Sequence, residues 1–238
     1  MLFRSLASIS ATQLGAIAIK AVLAETEIDP VLVDEVIMGN VLSAGQGQAP
    51  ARQAALGGGL PDSVECLTIN KMCGSGLKAV MLGTQAIQTG DADIIIAGGM
   101  ENMTQAPYLL PKGRDGHRLG HGQVIDSMIK DGLWDAYNDE HMGNCAEMLA
   151  DKNAFSREAQ DAFAKASYSR AQSAQENGLF TDEIIPVSVP QRKGDLKIVD
   201  TDDEPGRANF DKMVSLRPAF EKEGTITAAN ASKINDGA

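Results

Sequence analysis

Aromatic side chains are scarce: Phe, Tyr and Trp make up 4% of the 238 residues. A surface that stacks nucleic-acid bases needs more of them. Positive charge is short as well. Against 32 Asp and Glu stand 21 Lys and Arg, a net charge of −11 and a pI near 4.7. That balance argues against a polyanion-binding surface and leaves room for one local phosphate contact. No apolar run approaches the ~20 residues of a membrane span. Neither nucleic acid nor membrane is therefore an expected partner. The opening stretch, MLFRSLASISATQLG, lacks the long apolar segment and cleavage site of a secretory leader. Its Arg and Ser suit an organelle transit segment, a helix or a start site alike. Cysteine is also rare: Cys66, Cys73 and Cys145 make an odd number without metal-ligand spacing. A cytoplasmic chain with free thiols and no bound metal is the expectation.

What is abundant points elsewhere. Ala, Val, Ile, Met and Gly dominate a chain that is 43% hydrophobic and 22% charged, a mixture that favours closely packed helix-on-sheet layers. Ser10 is a candidate cap for a helix over 10–29, where Leu14, Ile17, Ala18, Ala21 and Val22 recur at helical spacing. Residues 33–42 and 64–71 read as strands, 48–59 as an Ala-rich helix closed by glycines, and 74–90 as a helix ending at Gly90. DADIIIAGGM, residues 91–100, shows little alternation and reads as a strand covered on both faces. Strands and helices alternate, so the first hundred residues are expected to form an α/β layered unit.

The pattern then changes. From about Met103 to Glu223 the chain is loop-rich, with one long amphipathic helix from Ser156 to Gly178. Two short edge strands interrupted by prolines lie in EIIPVSVPQRKGD and LKIVDTDDEP. The expected organisation is an α/β half over 1–102, an inserted loop-rich domain over 103–223, and a return to the α/β half over 224–238.

NKMCGSGLKAV, residues 70–80, places Cys73 between a strand and a helix that opens with Gly-Ser-Gly. A free thiol has a pKa of about 8.5, and the thiolate is the nucleophile. Unpaired N–H groups and partial positive charge at a helix start favour it. Gly74 and Gly76 allow a sharp turn and close approach of a ligand. In logic this matches the nucleophile turn of α/β acyl-transfer enzymes. A buried structural cysteine beside a tight turn is the other reading.

The same segment resembles the nucleophile segment of the thiolase family nearly residue for residue. AGGMENMTQAPYLLP (97–111), VDEVIMGNV, DSMIKDGLWDA, EHMG and NASKINDGA resemble further family stretches, in order, over essentially the whole chain. The nearest kin by resemblance are acetyl-CoA acetyltransferases, which join two acetyl-CoA molecules or cleave acetoacetyl-CoA. The resemblance implies a layered thiolase-like α/β fold, acetyl-CoA or other acyl-CoA as substrate, no cofactor, and a homodimer or homotetramer. It implies that Cys73 takes the acyl group as a thioester. It places His141 and Met142 beside the thiol end of CoA. Leu133, Ala228 and Ser232 contact the pantetheine arm, and Arg207 lies near the nucleotide.

Plainer roles stand beside these. His141 also reads as a surface-loop histidine, Cys145 as packing at a helix start and Cys66 as core. Met100 and Met103 read as packing residues, Glu101 and Asn102 as polar core or interface groups, and the 192–194 RKG run as a solvated turn.

The chain departs from the family pattern in three ways. Family members begin with a further apolar strand, expected to sit between strands 33–42 and 93–99. Without that shared neighbour, poor stability is expected. Members also continue into a second half that carries a Gly-His-Pro histidine and a Cys-x-Gly cysteine. Here the only histidines are His117, His121 and His141. The expectation is a truncated chain, inactive alone, which binds CoA without turnover or pairs with a complementary C-terminal half. Finally, Lys233 stands where the family usually has glycine. If that position needs a positive φ, the lysine is strained. A decarboxylating ketosynthase relative is a weaker fit, because its histidine pair is not found.

Overall fold

The computed structural model describes residues 5–191 and 194–238. The RKG run falls mostly on Arg192 and Lys193, outside the described residues. Among the described residues no helix is long and apolar enough to cross a membrane.

Helix α1 (Ala11–Thr26) begins at a full capping box. Gln13 N donates to the Ser10 hydroxyl at 3.3 Å, and Ser10 N donates to the Gln13 side chain at 2.9 Å. Two orphan amides are thereby satisfied reciprocally. Strand β1 (Glu35–Gly39) follows, then α2 (Pro50–Gly57), with proline in the first turn where its missing N–H costs nothing. Strand β2 (Glu65–Ile69), α3 (Ser75–Thr89) and β3 (Ile95–Gly99) complete the unit, α3 stopping at left-handed Gly90. Helices α1 and α2 pack together on one face of the sheet, and α3 covers the other. Val36 and Met38 join Ile19, Ala51, Ala54 and Met100 in the core on the α1 and α2 side. By strand alternation Ile37 and Gly39 face α3.

All three strands are parallel, in the order β2-β1-β3. This corrects two expectations. Strands β1 and β3 do not lack a shared neighbour: they pair directly, from Glu35 opposite Ile95 to Gly39 opposite Gly99. The orphaned backbone groups that argued for instability are thus paired. The second is depth of burial: β3 does pack on both faces, Ile96 against the α1 and α2 core and Ile95 and Ala97 toward α3, yet every residue of it is half-buried, whereas four of the five residues of β1 are buried. An apolar run reports burial propensity, and only topology decides which strand is central.

Beyond Gly99 the strands shorten. Strand β4 (Glu101–Asn102) leads to a two-residue ladder of β5 (Tyr108–Leu109) with β6 (Ile125–Asp126). A wide helical turn, Met128–Leu133, feeds a hairpin of β7 (Trp134–Asp135) and β8 (Glu140–His141). Helix α4 (Met142–Lys152) and the long α5 (Arg157–Glu176) follow. The Ser156 hydroxyl accepts from Ala159 N at 3.2 Å and caps α5. Strands β9 (Val187–Val189) and β10 (Lys197–Val199) form an antiparallel ribbon, and Val187, Val189 and Val199 pack on Leu14 and Ile17 of α1. Two single-turn helices, α6 (Asp203–Gly206) and α7 (Phe210–Met213), precede the last segment. Strand β11 (Asp236–Gly237) then pairs antiparallel with β4. Asp236 also accepts from the Thr104 amide at 3.0 Å and the Thr104 hydroxyl at 2.7 Å.

Candidate functional site

Cys73 is exposed and sits immediately before the residue that caps α3. The sharp turn is made at Met72, whose φ is +49°, and not at Gly74, whose φ is −91°. A left-handed non-glycine residue costs on the order of 1–3 kcal/mol and persists only where its surroundings over-determine it. Here Ser75 does so. Its hydroxyl donates to Met72 O at 2.6 Å and accepts from Lys71 N at 2.8 Å, and the Asn70 side chain accepts from Met72 N at 3.0 Å. Ser75 is 4% exposed and was overlooked in the sequence. The signal was a hydroxyl set between two glycines, both of which drew attention first.

Close approach fixes where this turn sits. A Cβ on Gly39 would lie 2.6 Å from Ser75 Cβ and 2.8 Å from Gly76 N. The start of α3 is therefore pressed onto the carboxyl end of β1, beside Gly99 of β3. Carboxyl ends of parallel strands are where α/β sheets bind ligands. No side chain caps α3, so its first-turn amides have no side-chain acceptor. They can meet negative charge developing next to Cys73.

The loop after β1 is tied to β4 by Glu101. Its carboxylate accepts from Val41 N at 2.8 Å, Leu42 N at 3.2 Å and Asn40 Nδ2 at 3.0 Å. Burial pushes this carboxyl up, with the amides and Asn40 pulling against it.

The other candidates gather in two groups. Leu133 precedes Trp134, the cross-strand partner of His141, so Leu133, His141 and Met142 share one hairpin. His141 caps α4: its Nδ1 accepts from Gly143 N at 2.9 Å, which leaves the proton of the neutral ring on Nε2. The His141 ring stacks on Phe220 with centroids 4.9 Å apart, and Phe220 also covers Gly143, where any Cβ would overlap the ring. Met142 is exposed. Phe220 went unnoticed in the sequence, because nothing within its own segment points to a ring 79 positions away.

Ala228 and Ser232 lie exposed on the terminal segment. Helices α4, α5 and α6 hold that segment. Glu147, 2% exposed, accepts from Thr225 N and Ile226 N, each at 2.8 Å, and from the Thr225 hydroxyl at 3.0 Å. Asn230 donates to Asp161 at 3.0 Å, and Lys233 pairs with Glu204 at 3.0 Å. Glu147 is another residue the sequence reading passed over. Its signal was a charge at helical spacing from buried Gly143 and Ala150. Lys233 is not among the described non-glycine residues with positive φ, so the strain considered for it does not arise. Arg207 follows α6 and pairs with Asp203 at 3.2 Å. Among the described residues no hydrogen bond or ring contact joins Cys73 to His141. The nucleophile turn connects to the terminal segment through β3, β4 and β11.

Two further features compete for attention. A cavity of about 1300 Å³ lies between α1, α5 and the terminal segment. Ser232 lines it, but Cys73, Leu133, His141 and Met142 do not. It holds no thiol, and the chemistry is placed at Cys73. Asp135, Glu140 and Cys145 bring possible metal-ligating atoms within 4.8 Å of one another. The hairpin already employs them. Asp135 accepts from Tyr137 N at 2.9 Å and Asn138 Nδ2 at 2.6 Å, and the Cys145 sulfur lies 3.6 Å from Glu140. Burial, then the Glu140 acceptor, push the Cys145 thiol up, so it serves as a hydrogen-bond donor to carboxylates.

Comparison with known proteins agrees with this architecture. A model of the family described as "Thiolase, N-terminal domain" matches residues 3–238. The chain is 56% identical over 235 residues to an acetyl-CoA acetyltransferase of Pseudomonas aeruginosa, covering 98% of this chain and 60% of that protein. It is 53% identical over 236 residues to acetyl-CoA acetyltransferase 2 of Arabidopsis thaliana, covering 98% and 59% respectively. The crystal structure of a thiolase from Ascaris suum in complex with coenzyme A superposes with a TM-score of 0.91 at 42% identity, over 99% of this chain and 60% of that one. The chain thus spans about 60% of the length of these relatives. With the fold, the helix-start cysteine and these matches in agreement, the chain belongs to the thiolase family.

Proposed function

We propose that this chain carries the nucleophile and much of the CoA-binding surface of a thiolase-type acyltransferase. The reaction is condensation of two acetyl-CoA to acetoacetyl-CoA, or thiolytic cleavage of a 3-ketoacyl-CoA. The single observation behind this is the exposed Cys73 in a strained turn at an uncapped helix start.

The Cys73 thiolate attacks the thioester carbonyl, and the tetrahedral oxyanion meets the first-turn amides of α3. The carbon–sulfur bond to CoA breaks, CoA leaves as the thiolate, and acyl-Cys73 remains. In the second half-reaction the enolate of another acetyl-CoA attacks that acyl carbon and displaces the Cys73 sulfur. A base must first take the methyl proton. Ala228, Ser232 and Leu133 line the pantetheine arm, His141 offers Nε2–H to a carbonyl beside Met142, and Arg207 faces the nucleotide. The substrates are CoA thioesters, and no redox or metal cofactor takes part. The assembled enzyme is a homodimer or homotetramer, working in the cytoplasm.

A second reading applies to these 238 residues alone: binding of CoA or acyl-CoA without turnover. It is favoured by the histidines. His141 spends Nδ1 on the α4 cap and has no bond to Cys73, while His117 and His121 are exposed on the 111–124 loop. A missing general base costs on the order of 100- to 10,000-fold in rate.

The test is incubation with isotopically labelled acetyl-CoA followed by intact-mass and peptide mass spectrometry. An acetyl adduct on Cys73, absent from Cys73→Ala, supports the acyl-enzyme. An adduct with acetoacetyl-CoA formation means turnover. CoA binding without an adduct favours the module, and neither binding nor adduct refutes both readings.

A further inference from the structure

The position where the family usually has glycine is occupied by a lysine with an unusual set of partners. Lys233 Nζ donates to the Ala228 carbonyl at 2.8 Å, pairs with Glu204 Oε1 at 3.0 Å, and lies 5.7 Å from the centre of the Tyr168 ring. The ion pair is partly buried, with Lys233 and Glu204 side chains 26% and 19% exposed. Glu204 is itself seated, since the Tyr168 hydroxyl reaches the same oxygen at 3.5 Å. Gln172 donates to Pro205 O at 2.7 Å, docking α6 on α5. One cation therefore spans three pieces of chain: the 228–233 turn, α5 and α6. Residues Ala228 and Ser232 stand at the ends of the turn that it closes. Arg207 is the first residue beyond α6.

We propose that Lys233 is a positioning residue for coenzyme A. By bridging the Ala228 carbonyl and Glu204 it locks the turn that meets pantetheine to the short helix that presents Arg207 to the nucleotide. This rests on the reading of Ala228, Ser232 and Arg207 as CoA contacts given above. A glycine could not make the bridge, so the two contact segments would be joined only through α5, by Asn230 to Asp161 and Gln172 to Pro205, and more of their mutual ordering would fall on binding. The lysine pre-orders them together. Its effect belongs to the intact ligand, which touches both segments, and not to either half alone.

The test uses the 238-residue chain with Lys233→Met, Lys233→Arg and Glu204→Gln. Hydrogen–deuterium exchange at residues 227–232 is read without ligand. Calorimetric titration then compares CoA with its two halves, pantetheine and 3′-phosphoadenosine 5′-phosphate. Lys233→Met is expected to speed exchange in the turn and weaken CoA about five-fold, the effect of one partly buried ion pair. The separate halves should lose less than about two-fold each. Lys233→Arg should recover most of the loss. Glu204→Gln should act like Lys233→Met, with the double variant no worse than either.

Unchanged exchange in Lys233→Met overturns the lock. So does a lower melting temperature with unaltered exchange in the turn, which marks a merely structural lysine. Equal weakening of CoA and both halves, or no recovery in Lys233→Arg, overturns the coupling. If the unsubstituted chain binds no CoA, the underlying reading fails instead, and exchange alone decides whether the lock exists.

Discussion

Up to Met100 the chain is held by apolar contact, whereas beyond it the work passes to single polar side chains. The main core draws every buried member from Ala11 to Met100. Among the described residues past that point, only Ala150, Ala164, Val189, Pro205, Met213 and Ile226 are buried apolar side chains. In their place stand Glu147 on the Thr225 and Ile226 amides, Asn230 on Asp161, and Arg157 on the Met213 and Leu216 carbonyls. Apolar burial is non-directional and tolerates small shifts, while a hydrogen bond to a charged group is lost when its geometry is lost. The nucleophile turn therefore stands on the rigid region, and the segments assigned to CoA stand on the region with discrete fastenings.

The contrast is broken or kept by two substitutions. Ile37→Ala hollows a site 2% exposed at the centre of the sheet and should cost about 3–4 kcal/mol, lowering the whole denaturation midpoint. Glu147→Ala should cost about 3 kcal/mol by orphaning buried amides of Thr225 and Ile226. Its effect should be local: faster amide exchange over 224–233, with the sheet amides unchanged. If Glu147→Ala unfolds everything in one step, as Ile37→Ala does, the two regions are one cooperative unit and the contrast fails.

Gly39→Ala probes where the two kinds of support meet. The added methyl would press on the Ser75 and Gly76 backbone, and overpacking of this kind costs about 1–3 kcal/mol. Because α3 must move, the Met72 turn should relax with it. Alkylation of Cys73 by iodoacetamide should change rate while that of Cys145 stays the same. Equal change at both thiols would mean general loosening and would remove the link between β1 and the nucleophile.

The same contrast explains what could be read from sequence. Helix α1, with its Ser10 cap, and α3, with its Gly90 stop, were legible because capping and periodicity are local. So was Cys73, whose whole neighbourhood lies within eleven residues. Direct pairing of β1 with β3 was not legible, since strand order depends on crossovers and not on any one strand's composition. The Met72 turn was missed because glycines draw attention and a strained methionine does not. Glu147, Phe220 and Lys233 act across 60 to 80 or about 30 positions, and no local pattern announces such partners.

The smallest expected effect tests the exception within the apolar region. At the start of the sheet Glu35 faces Glu65 in register. Burial, then the Glu65 carboxylate, raise the Glu35 pKa above the ordinary glutamate value. The folded chain thus holds this proton more tightly than the unfolded chain. In the window between the two values the unfolded state binds fewer protons, so stability falls as pH rises. The favourable contribution is complete below the ordinary glutamate pKa and gone once pH passes the raised one. Glu35→Gln should therefore raise the melting temperature at pH 7 by about 1 °C, a small figure because the group is partly solvated. At pH 4, below the ordinary glutamate pKa, the gain should shrink, since the raised pKa favours the protonated native carboxyl there. A gain of equal size at both pH values would assign the effect to packing and clear the acidic pair of any cost to the sheet.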